Sequence, residues 1–171
     1  MSGTLIVAVV AVGLSAASIA WQASTFVLSG ARVRVGLRHG GLDVKSGRSV
    51  LLEFPRRRNR ERVIDDPSYI DVFAIAVTSS GRTDVDIVSW GFEFMLDTSV
   101  WLHGADGGLN LTLPHRLRHG SQCALYLTDE DVQSAVDAVV APGAVRVRGW
   151  VSLGNGKNVY TAPVVLDKSP P

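Results

Sequence analysis

The chain has 171 residues, 17 Lys+Arg against 16 Asp+Glu, and a single cysteine. That length excludes more than one ordinary domain beside an anchor, and one thiol excludes an internal disulfide. The net charge of +1 conceals an asymmetry: residues 29–62 hold ten Lys/Arg and three Asp/Glu, whereas residues 63–171 hold seven and thirteen.

Residues 5–28 contain no Asp, Glu, Lys, Arg or His, and Gln22 is the one strongly polar side chain. As a helix this run reaches ~36 Å, enough to cross a ~30 Å hydrocarbon core with some tilt. A signal peptide cut after the small pair Ser18 and Ala20 is the alternative. No Lys or Arg precedes the run, however, and it exceeds the ~7–15 residues of a signal core. The expectation is an uncleaved single-pass transmembrane anchor (1–28) carrying one domain (29–171). Gly13, Ala17, Ala20 and Ser24 form a stripe of small side chains, the kind of surface on which a homodimer or a partner's helix packs in lipid.

Arg32, Arg34, Arg38, Lys45 and Arg48 follow the span, while only the α-amino group precedes it. Cytoplasmic flanks carry the Lys/Arg excess, so the domain is expected in the cytoplasm, its basic first third facing the lipid bilayer. The segment "PRRRNRER" concentrates this charge in Arg56, Arg57, Arg58, Arg60 and Arg62. Guanidinium forks fit phosphate oxygens, of anionic lipid or of nucleic acid. The run holds no aromatic residue, which argues against stacking on single strands. A solvated loop neutralised by Glu61, Asp65 and Asp66 is the plain alternative.

Beyond the span the dominant period is two, which predicts strands. "RVRVGLR" and "SVLLEF" (49–54) open the series. "YIDVFAIAVTSS" (69–80) and "DVDIVSWGFEF" (84–94) flank a Gly-Arg turn and predict a central hairpin. Val85 and Ile87 have the opposite parity to Trp90, Phe92 and Phe94, so a β-bulge is expected near Ile87–Val88. "SVWLH", "LNLTL" and "QCALYLT" supply further strands. One helix is predicted after Thr128 as N-cap, with Val132, Val136, Val139 and Val140 as its buried stripe, ending at Pro142-Gly143.

Asn155-Gly156 predicts a two-residue type I′ loop in the closing hairpin. That register pairs Val151 with Tyr160, Trp150 with Thr161 and Val147 with Val164. It places Tyr160 and Ala162 on the core face and makes the last strand an edge, because Pro163 lacks an N–H. Arg146, Arg148 and Trp150 fall on the opposite face, either as an aromatic-plus-arginine binding anchor or beneath another element. Seven to nine short strands with one short helix predict a mainly β fold, an immunoglobulin-like β-sandwich in the broad sense.

At "TSSGRTDVDIVSWGFEF", "LPHRLRHGSQ" and "VRVRGWVSLGNGK" the chain resembles small membrane-anchored proteins of actinobacteria and their phages, over most of residues 30–165. The resemblance implies this architecture and carries over no active site.

Chemistry-bearing patterns are few. His115, His119 and Cys123 have i, i+4, i+8 spacing, but Pro114 and Gly120 break any helix that would align them on zinc, and a fourth ligand is wanting. Asn110-Leu-Thr112 is a formal glycosylation triplet. Asp84 with Asp86 and Asp65 with Asp66 are paired carboxylates with nothing that implies a cleft. The sequence therefore leads to the expectation of a non-enzymatic interaction module without cofactor or metal, binding a protein partner or anionic lipid at the cytoplasmic face. Its alternative is an extracytoplasmic, signal-anchored sandwich binding an envelope or surface ligand.

Overall fold

A computed structural model describes residues 3–29, 32–54, 57–58, 66–95, 99–104, 109–139 and 144–167. The uncharged run forms α1 (Gly3–Ser29). Its stretch Val7–Thr25 is long and apolar enough to cross a membrane, and none of it is buried against the rest of the chain. Val12, Leu14, Ile19 and Trp21 are 67–75% exposed. Ser15, Ser24 and Thr25 each donate to the carbonyl four residues earlier, at 2.6–2.9 Å. A helix apolar on nearly all sides, with these three hydroxyls returned to its own backbone, suits a lipid interior.

The domain follows as β1 (Val33–Asp43), β2 (Ser49–Glu53), β3 (Arg57–Arg58), β4 (Tyr69–Ser79), β5 (Val85–Met95), β6 (Val100–His103), β7 (His115–Leu117), β8 (Gln122–Thr128), α2 (Asp129–Val139), β9 (Ala144–Leu153), β10 (Asn158–Tyr160) and β11 (Val164–Asp167). One sheet has the order β2-β1-β4-β8. The other has the order β3-β11-β9-β5-β6, with β10 added to β9 and β7 to β5. Pairing is antiparallel apart from β3 with β11. The period-two pattern turns Leu37, Phe73, Ile75, Val77 and Leu125 of the first sheet toward Ile87, Trp90, Phe92, Phe94, Val147 and Val151 of the second, in one core. The edge-on contact of Phe73 with Phe92, 6.3 Å between centroids, joins the two layers.

The bulge is where the parity change predicts it. Register shifts between Ile87 and Ser89, so Val88 points to solvent while Ile87 and Trp90 are both buried. The helix is also as expected at its start: the Asp131 N–H donates to Thr128 Oγ1 (3.1 Å), and the Thr128 hydroxyl donates to the Asp131 carboxylate (2.6 Å). Val132 and Val136 are fully buried, whereas the Val139 side chain, Val140 and Pro142-Gly143 lie outside the described residues.

Four expectations are corrected. β4 and β5 are not a hairpin. β4 is paired on both edges, by β1 and β8, so the chain arches across to the other sheet. Alternation reveals which face a strand buries but not which strand it joins. The "LNLTL" segment is not a strand; instead the Asn110 side chain mimics one, its Nδ2 donating to Tyr126 O (2.9 Å) and its Oδ1 accepting from Tyr126 N–H (2.6 Å).

The closing hairpin has a three-residue loop, with Gly156 N–H donating to Leu153 O (2.8 Å) and Leu153 N–H to Lys157 O (2.9 Å). Gly156 alone is left-handed there (φ 80°), as in a turn followed by a glycine bulge. Asn155 avoids positive φ and accepts the Lys157 N–H on Oδ1 (3.1 Å). The register moves by one, pairing Val159 with Val151 and Tyr160 with Trp150, so Tyr160 turns outward. Between Tyr160 and Val164 one extra residue restores the expected Val147–Val164 pair. Pro163 sits in that break and needs no ladder bond. β11 is not an edge, since β3 pairs with its other side.

Candidate functional site: the outer face of the second sheet

Strand alternation directs Arg146, Arg148 and Trp150 of β9 away from the core. Pairing determines what they meet. Trp150 lies opposite Gly91, Arg148 opposite Glu93 and Arg146 opposite Met95. On the far side of β5, β6 sets His103 opposite Gly91 and Trp101 opposite Glu93. A Cβ at Gly91 would lie 2.2 Å from the Leu102 carbonyl oxygen. Here β6 folds over the sheet face, at a residue without a side chain.

That fold brings Trp101 and His103 onto Trp150, edge to face, with centroids 5.4 Å and 5.2 Å from it. Trp150 is left 4% exposed beneath them, whereas Trp101 remains 41% exposed and Tyr160 37%. Of the three predicted residues, one is therefore buried by a neighbouring strand and one, Arg146, is exposed. The Trp150 Nε1 has no hydrogen-bond acceptor among the described residues.

Arg148 lies between the two fates. Its Nε donates to Glu93 Oε2 (2.6 Å), and its guanidinium carbon stands 4.1 Å from the Tyr160 ring centroid. The Arg148 bond holds the Glu93 carboxyl below its ordinary range; burial opposes this and a Ser99 hydrogen bond assists. Glu93 in turn pushes Arg148 up. The two charges cancel, so the site is an aromatic shelf of Trp101, Trp150 and Tyr160 around an internally neutralised pair. Charge-neutral aromatic surface with an adjoining arginine is the chemistry of protein-binding hot spots.

Sequence reasoning missed Trp101, His103, Glu93 and Tyr160. The alternation of "WGFEF" turns Gly91 and Glu93 outward, opposite to Trp90 and Phe92, and was a readable signal for two positions of this face.

The other candidates disperse. Arg56, Arg60 and Arg62 lie outside the described residues; Arg57 and Arg58 form β3 beside Val165 and Leu166. His115 pairs with Ile87 on β7, the His119 ring bonds to Gly81 O (2.9 Å), and Cys123 pairs with Val77 on β8. Among the described residues no group of three or more His, Cys, Asp or Glu is placed to hold a metal. Burial pushes the Cys123 thiol up to about 11. Asp84 is held below its usual range by the His119 N–H and then by Arg116, a local structural pair.

No known protein-family model matches the chain, and no curated protein matches it. Among solved structures it is similar to a Bordetella pertussis protein assigned as ApaA, at 12% sequence identity and a TM-score of 0.39, with 84% of this chain and 99% of that one covered. No functional residue is carried over from it.

Proposed function

We propose that the protein is a membrane-tethered, non-enzymatic interaction module. Its immunoglobulin-like sandwich, held at the cytoplasmic face by α1, engages a protein partner through the Trp101–Trp150–Tyr160 shelf. The carrying observation is that two large aromatic side chains, Trp101 and Tyr160, stay more than a third exposed beside the mutually neutralised Arg148–Glu93 pair. Exposed aromatics on a rigid sheet lose little side-chain entropy on binding.

The basic flank Arg32, Arg34 and Arg38 supports the cytoplasmic orientation.

Photo-crosslinkers placed at Trp101 and, as a control, at Lys45 test the shelf in cells that produce the protein natively. A discrete protein adduct at position 101, absent at 45 and lost on Tyr160→Ala, is the expected result. Equal adduct patterns at both positions would remove the shelf from consideration.

A further inference from the structure

The end of the domain next to α1 is defined by hydrogen bonds. Ser80 and Gly81 N–H both donate to Arg32 O (2.8 and 3.2 Å), tying the β4–β5 arch to the start of β1. Ser79 N–H donates to Ser121 O and Gly120 N–H to Ser79 O (3.0 and 3.1 Å), which adds the β7–β8 loop. Gly154 N–H donates to Asp86 O (2.7 Å), which adds the tip of the closing hairpin. These four segments gather exposed Arg32, Arg34, Arg82, Arg116, Arg118 and Lys157. The acids among them are Asp84, bonded to Arg116 at 3.2 Å, and Asp86.

The opposite end reverses the sign. Asp43 pairs with Tyr69 and Thr128 with Val72, so Asp43, Asp66 and the first turn of α2 (Asp129, Glu130, Asp131) lie there, with Lys45 and Arg48 as counterweight. The described domain is thus basic at one end and acidic at the other.

Three Cα–Cα steps, through Gly30 and Ala31, lead from Ser29, the last of α1, to Arg32. Even fully extended they reach ~10 Å, about one screening length at physiological salt. We propose that this basic end is the surface on which the domain stands, against the anionic lipid headgroups of its own membrane. The proposal rests on the reading of α1 as a span. It moves the lipid contact away from Arg57 and Arg58, the two described arginines of the "PRRRNRER" run. Arg57 and Arg58 sit beside Val165 and Leu166, in the row of Arg146 and Met95. That row lies roughly 25 Å along the strands from the Ile87–Leu153 row, beyond the range of an unscreened attraction.

The test uses the full chain, reconstituted in phosphatidylcholine vesicles or in vesicles rich in phosphatidylglycerol, in a Cys123→Ala background. A fluorophore goes at Thr83 in the arch or at Lys45 in the distal turn, and quenching by a headgroup-attached acceptor is read. Strong quenching at Thr83, weak quenching at Lys45, and a rise at Thr83 confined to the anionic vesicles are expected. That rise should vanish in high salt, and in Arg82→Gln/Arg118→Gln/Lys157→Gln. A chain that resists alkaline carbonate extraction, yet shows equal Thr83 quenching in both lipids or stronger quenching at Lys45, overturns the basic end as the contact. A chain that carbonate removes overturns the span itself, and the proposal with it.

Discussion

Trp101 and Trp150 meet edge to face at 5.4 Å and 69°, and the contact divides their roles: one indole is 4% exposed and the other 41%. Trp150→Ala should therefore cost about 3 kcal/mol of stability, at the lower end for a buried large-to-small change, because the hole opens toward the surface. Trp101→Ala should cost about 1 kcal/mol, the worth of an aromatic pair plus partial burial. Chemical denaturation of the detergent-solubilised chain checks both. Equal losses would mean that β6 does not fold over the shelf.

The shelf was half legible in the sequence. Period two placed Arg146, Arg148 and Trp150 on the outward face, and the change of parity at Ile87–Val88 located the bulge, since both depend on local geometry alone. Which side chains face Trp150 depends instead on β6 crossing Gly91, a contact between strands whose register only the folded sheet defines. The β4–β5 arch was misread for the same reason: a turn between two apolar strands looks alike whether it closes a hairpin or joins two sheets. The outward turn of Tyr160 followed from one φ angle, because Asn155 stays out of the left-handed region that a type I′ loop demands.

The Glu93–Arg148 bond makes stability pH-dependent. Glu93 ordinarily titrates at 4.5, and Arg148 lowers it in the folded state. The folded chain then binds fewer protons than the unfolded one, so stability rises with pH across this interval. The contribution is complete above about pH 4.5 and is lost as pH falls through the lowered folded value. Glu93→Gln should remove about 2 kcal/mol at neutral pH, the scale of a hydrogen bond to a charged group, and should flatten the acid limb. Parallel acid limbs for parent and variant would contradict the pairing.

At the closing hairpin, Gly156→Val forces a β-branched residue to the left-handed backbone now at φ 80°. The expected loss is about 1–2 kcal/mol. Asn155→Ala, which keeps an ordinary φ and loses only the bond to the Lys157 N–H, should cost about 1 kcal/mol or less. Thermal melting that ranks Asn155→Ala as the more damaging change would restore a two-residue loop.

Cys123 pairs with Val77 and packs against the core, and burial raises its thiol to about 11 from an ordinary 9.0. Two units depress the thiolate fraction roughly 100-fold at mildly alkaline pH, and the thiolate is the nucleophile. Iodoacetamide should therefore alkylate the native chain roughly 100-fold more slowly than the denatured one. Comparable rates would place Cys123 at the surface.

The side of the membrane on which the domain lies is the premise of the whole account. It is tested most directly by C-terminal fusions of the full chain to green fluorescent protein and to alkaline phosphatase. With Arg32, Arg34 and Arg38 following α1, we expect fluorescence from the first fusion and no phosphatase activity from the second. Active phosphatase with a dark fluorescent fusion would contradict the cytoplasmic module and leave a signal-anchored domain facing the envelope.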